Sequence, residues 1–139
     1  MKANTFMQIA YLVSQESKCV SWKVGALIEK NGRIISTGYN GSPAGGINCC
    51  DHAAHSDWIG CDKEFTPKFR IIREYLKPEC REAHSAWSAK NEIHAELNAI
   101  LYAARYGRAI DGATMYVTLS PCPDCAKAIA QSGIKKISV

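Results

Sequence analysis

Thr114-Met115-Tyr116-Val117-Thr118-Leu119, the helical stretch Pro123 to Ser132 and the run Ile134 to Val139 together decide the fold. The first segment has the β-branched, apolar make-up of a buried strand. Pro123 stands where a helix begins, because a missing N–H costs nothing in the first turn. Gly133 stands just past the end, where a left-handed residue closes a helix. Strand, helix, strand in this order predicts a right-handed crossover and a parallel pair.

Working outward, Val24-Gly25-Ala26-Leu27-Ile28 is a short apolar run. Asn31-Gly32 separates it from Arg33-Ile34-Ile35-Ser36-Thr37, which predicts a hairpin with a type I′ turn. Residues 4–16 predict an opening helix with Phe6, Ile9, Ala10 and Val13 on one side. Gly38 to Gly46, with four glycines and a proline, reads as a loop. An alanine-rich helix is expected from Glu92 to Tyr106, ended by Gly107. Residues 47–92 show no clean period. The sum is one α/β domain over residues 1–139, a three-layer α/β/α arrangement. Its mixed sheet is an antiparallel hairpin followed by parallel strands.

The chain has 139 residues, 47% of them hydrophobic. A chain of this size buries roughly 68–70% of its unfolded surface and needs no disulfide staple. No apolar run approaches the roughly 18–20 residues that span a bilayer, and no signal peptide is legible, so a cytoplasmic setting is expected. In that setting seven cysteines point to metal binding or catalysis rather than disulfides. The net charge of +4 contains no block of five like charges. That excludes a nucleic-acid arm and suits a small anionic substrate.

The chemistry lies in His94-Ala95-Glu96 and Pro121-Cys122-Pro123-Asp124-Cys125. Cys122 and Cys125, three apart at a helix start, present both sulfurs on one face. His94 and Glu96 would point roughly 200° apart inside a regular helix. They can share a site only if it lies off the helix N-terminus. Both helices would then aim their positive ends at that site and favour thiolates there. One imidazole and two thiolates suit a zinc ion that keeps a fourth position for water. Glu96, ligating nothing, is the natural proton carrier for that water. A bare Cys-x-x-Cys reads equally well as redox or structural; a His-x-Glu at a second helix start tips it to catalysis. The two motifs together form the signature of zinc nucleobase deaminases.

His94-Ala95-Glu96-Leu97-Asn98-Ala99-Ile100 with Ser120-Pro121-Cys122-Pro123-Asp124-Cys125 resembles the cytidine and deoxycytidylate deaminase superfamily. Gly38-Tyr39-Asn40-Gly41-Ser42-Pro43 narrows the resemblance to the bacteriophage-type deoxycytidylate (dCMP) deaminases. It runs over nearly the whole chain. It implies a cytidine-deaminase-like fold and hydrolysis of dCMP to dUMP and ammonia for thymidylate synthesis, in the cytoplasm of a host. It further implies activation by dCTP, inhibition by dTTP with Mg²⁺, and a homohexamer. No membrane or nucleic-acid partner is expected.

By the same resemblance, Val24 and Ala26 line the base pocket and the Ala95 N–H holds the base carbonyl. Asn40 holds the deoxyribose or phosphate. Lys23 and the loop Gly38, Tyr39, Asn40, Gly41, Ser42 contribute to an effector site, and Arg105 couples subunits. A second, structural zinc is implied on Cys19, Cys49, His84 and Glu92. Cys50 competes with Cys49 there, and His52 and His55 are alternatives. Cys61 and Cys80 are read as structural. The family usually continues past this point with a further strand and helix that help close the sheet and the pocket. Two other readings stay open: a tRNA adenosine deaminase of the same superfamily, and a non-catalytic zinc-stabilised nucleotide-binding module. An unligated Glu96 speaks against the module.

Overall fold

The computed structural model describes residues 2–65 and 69–139. Helix α1 (Ala3–Ser14) leads into strands β1 (Gly25–Lys30) and β2 (Arg33–Tyr39). Helix α2 (Cys49–His55), strands β3 (Ile59–Phe65) and β4 (Phe69–Leu76) and a short 3₁₀ turn at Pro78–Cys80 follow. Helices α3 (Arg81–Asn91) and α4 (Ala95–Arg105), strand β5 (Thr114–Val117), helix α5 (Pro123–Gln131) and strand β6 (Lys136–Ser138) complete the order.

The hairpin forms as its turn chemistry predicts. Asn31 and Gly32 both have positive φ, 53° and 77°, as a type I′ turn requires. The main sheet has the order β2-β1-β5-β6. β1 is antiparallel to β2 and β5, and β5 is parallel to β6, the pair expected from the strand–helix–strand run. Helices cover both faces. Because strand side chains alternate, Leu27 and Tyr116 meet Phe6 and Ala10 of α1 on one face. Ala26, Ile28, Met115 and Val117 meet Ala95, Ala99 and Ala103 of α4 and Ile129 of α5 on the other.

That second face decides the site. Alanines four residues apart form a smooth stripe on α4, so its backbone lies close on β2. A Cβ built on Gly38 would stand 2.5 Å from the Ala95 carbonyl oxygen and 2.5 Å from the Ala99 nitrogen. Gly38 and Tyr39 therefore belong to β2, paired with Ala26 and Gly25, and not to the loop expected from their composition. Gly25 is equally confined under α1, where a Cβ would lie 2.1 Å from the Ala10 carbonyl oxygen.

The alanine-rich helix starts at Ala95 and not at Glu92. Ile93 is drawn into an antiparallel bridge with Gly41: its N–H donates to Gly41 O at 2.8 Å and its carbonyl accepts from Gly41 N at 3.1 Å. The segment Glu92–His94 is thus an extended link between α3 and α4. The last strand is shorter than its apolar run, beginning at Lys136. The aperiodic region 47–92 holds α2, the antiparallel β3–β4 ribbon and α3. The ribbon carries charged cross-strand pairs, Arg73 to Asp62 at 2.8 Å and Arg70 to Glu64. No described helix is long and apolar enough to cross a membrane.

Candidate active site and metal centres

Two helix starts converge. His94 is the N-cap of α4 with extended ψ of 152°, which swings its ring off the helix end. Cys122 is the N-cap of α5, and its sulfur accepts from Cys125 N at 3.5 Å, as a capping oxygen would. His94 Nδ1 lies 3.5 Å from Cys122 Sγ and 3.3 Å from Cys125 Sγ. Glu96, in the first turn of α4, is 4% exposed and stands beside Cys125. The conflict between His94 and Glu96 at i, i+2 is resolved because His94 precedes the helix and Glu96 is inside it.

A second cluster joins three separate parts of the chain. Cys19 follows α1, Cys49 opens α2, His84 lies on α3 and Glu92 caps its end. Cys49 Sγ is 3.3 Å and Cys19 Sγ 3.8 Å from His84 Nε2. Glu92 Oε1 lies 3.6 Å from Cys19 Sγ and 3.8 Å from His84 Nε2. The His84 and Glu92 side chains are 5% and 2% exposed.

Both clusters fit zinc. Bonds of ~2.3 Å to sulfur and ~2.0–2.1 Å to nitrogen or oxygen, spread tetrahedrally, hold ligand atoms about 3.3–3.8 Å apart. Within each cluster the donor atoms lie within 4.8 Å of one another. Glu92 Oε2 is buried without a hydrogen-bond partner among the described residues, which a cation would supply. Burial, then the Glu96 carboxylate, pushes the Cys125 thiol up. A hydrogen bond from Cys49 brings Cys19 down to about 5 and pushes Cys49 up in turn. Burial, then the Cys19 charge, raises the Glu92 carboxyl. All seven cysteines are free.

A cavity of about 410 Å³ opens on the first cluster. Val24, Asn40, Ala95 and Glu96 line it, with His94 and Cys122. Ala26 is fully buried in the core beneath and does not line it. The Asn40 side chain is spoken for: its Nδ2 donates to Trp22 O at 2.7 Å and its Oδ1 accepts from Val24 N at 2.9 Å. It braces the segment that forms one wall. On the other side of the Glu92–His94 link, a wider cavity of about 780 Å³ gathers Gly38, Tyr39, Gly41, Ser42 and Arg105. Lys23 lines neither cavity. Lys18 and Tyr102 line the wider one and went unnoticed in the sequence; a lysine near the end of a helical stretch carries no local signal of its own.

Three relatives share this arrangement's sequence. The deoxycytidylate deaminase of Enterobacteria phage T4 is 69% identical, over 99% of this chain and 76% of its own length. That of phage T2 is 68% identical, over 99% and 78%. A crystal structure of the dCMP deaminase of cyanophage S-TIM5, in complex with dCMP and dUMP, superposes with a TM-score of 0.67. It is 35% identical, with 99% of this chain and 81% of that one covered. The sequence profile of the cytidine and deoxycytidylate deaminase zinc-binding region matches residues 1–139. With its ligand sets assembled and this match along its length, the chain belongs to the cytidine and deoxycytidylate deaminase family.

Proposed function

We propose that this protein hydrolyses dCMP to dUMP and ammonia. The observation that carries the reading is the meeting of His94, Cys122 and Cys125 at two helix N-termini beside buried Glu96. Identity of 69% to a phage deoxycytidylate deaminase supports the choice of substrate.

His94, Cys122 and Cys125 would hold a catalytic zinc, which would supply Lewis-acid activation of a water nucleophile. Glu96 takes one proton from the attacking water and delivers it to N3 of the cytosine. The water oxygen forms its bond to C4, which becomes tetrahedral. Glu96 carries the second proton to the amine, the C4–N bond breaks and ammonia leaves. A carboxyl group suits this because it must accept and donate at one place. The Ala95 N–H, at the open end of α4, is a free donor for the base carbonyl. Val24 packs along the base, backed by Ala26 in the core beneath.

Cys19, Cys49, His84 and Glu92 would hold a second zinc. Four protein ligands would leave no position for water, so its role would be to hold α1, α2, α3 and the link to α4 together. The wider cavity is the effector site, taking dCTP as activator and dTTP as inhibitor with Mg²⁺. Gly38, Tyr39, Gly41, Ser42 and Arg105 line it, in a homohexamer. The setting is the cytoplasm, and the product feeds thymidylate synthesis.

The test is loss of the cytosine chromophore on dCMP by zinc-loaded protein, with and without dCTP and Mg²⁺. Turnover of dCMP is the expected result. Turnover of a tRNA anticodon stem-loop alone would move the reading to tRNA editing, and silence on both would leave a binding module.

A further inference from the structure

We propose that Arg81, held against Ser21, anchors the 5′-phosphate of the substrate and makes the site select nucleotides over nucleosides. The inference rests on the nucleotide-deaminase reading and assigns the residue that separates the two substrate classes within the family.

The cavity that ends at His94 and Glu96 has a polar far wall. Arg81, His84, Ser85 and Ser88 line it from α3, at the i, i+3, i+4, i+7 spacing of one helix face. A stripe of this kind usually faces solvent; here it faces the cavity. Opposite stand Ser21 and Trp22, in the segment braced by Asn40. Arg81 Nη1 donates to Ser21 Oγ at 3.0 Å, so the guanidinium is oriented across the mouth.

Charge singles out Arg81. It is the one lysine or arginine among the described residues lining this cavity. The other charged side chains there, Glu92 and Glu96, would repel a phosphate. Among the described residues no carboxylate pairs with Arg81, so donors beyond the one on Ser21 remain for a ligand. A neutral base needs only the Glu96 end. A dianionic phosphate at the other end needs a cation, and a guanidinium meets phosphate oxygens with two parallel N–H donors. The Ser85 and Ser88 hydroxyls add neutral donors along the same wall, and Ser21 adds one opposite. Placement on α3 makes the anchor rigid: His84, one turn on, belongs to the buried second cluster.

Wild-type, Arg81→Gln and Arg81→Lys proteins would be compared on dCMP and deoxycytidine, with dUMP and deoxyuridine binding measured by calorimetry. Zinc content and melting temperature would establish that each variant folds. The expected result is a fall of about 10–100-fold in the preference for dCMP in Arg81→Gln, the range for losing a charge-assisted hydrogen bond. It should appear in KM, with dUMP binding weakened likewise and Arg81→Lys intermediate. An equal loss on both substrates, or no loss, would overturn the assignment. Wild-type protein inactive on both would overturn the activity reading alone, since dUMP against deoxyuridine binding would still decide Arg81.

Discussion

The two cysteine–histidine clusters are built from similar side chains but differ in ligand number and burial. In the first, His94 is exposed, Cys122 half-buried and Cys125 buried, with a cavity at the open side. The second encloses all four of its donor side chains. Three ligands leave a position for a reacting water and four leave none, although Cys19, His84 and Glu92 also border the same cavity. Burial and ligand count, more than ligand type, separate the proposed catalytic centre from the proposed structural one. The two are also joined, because Glu92 and His94 flank Ile93, whose backbone is pinned to Gly41.

Four substitutions would break or sharpen this contrast. The largest effect is expected from Glu96→Ala. Turnover of dCMP should fall by about 10⁴-fold, the upper end for a general acid–base, because one carboxyl carries every proton. Zinc content should stay at the wild-type level; retained activity would remove Glu96 from its role. His84→Ala acts on the closed centre instead. Removing this buried imidazole leaves the Cys19 charge without its partner, which costs ~3 kcal/mol and lowers the melting temperature by roughly 10 °C in a chain of this size. One zinc per chain should be lost by metal analysis, and an unchanged count would show that the second cluster holds no metal.

The smaller pair concerns glycines. At Gly38 an added Cβ meets the α4 backbone at 2.5 Å, so Gly38→Ala should cost about 2 kcal/mol by overpacking. It should also lower kcat, because α4 carries His94 and Glu96 at its start; loss of stability with kcat intact would separate the helix contact from the chemistry. At Gly32 nothing lies within 4 Å, but φ is +77°. Gly32→Ala should therefore cost only about 1–2 kcal/mol of stability, from left-handed backbone strain, and leave kcat alone. Denaturant midpoints and kcat measured on both variants would decide.

The helix starts, the hairpin and the strand–helix–strand run were legible because each rests on contacts within a few residues. Asn31-Gly32 dictates its own turn, and Pro123 and Gly133 bracket their own helix. The open ligand set was legible for the same reason, since cap positions carry His94 and Cys122. Residues 47–92 were not, because α3 turns a polar stripe to a cavity and offers no apolar period to read. Gly38 looked like loop for want of any local sign that α4 would lie on it.

By itself, then, the sequence determined the local elements, the catalytic ligand pair of motifs and the kind of chemistry they support, since cap and turn preferences act over one or two helical turns. Only the tertiary structure decided which distant residues meet. It brought Cys19 to Glu92 across 73 residues and set Arg81 against Ser21 across 60. Such meetings depend on how closely helices pack on the sheet, and that closeness is set by small residues whose partners lie far along the chain.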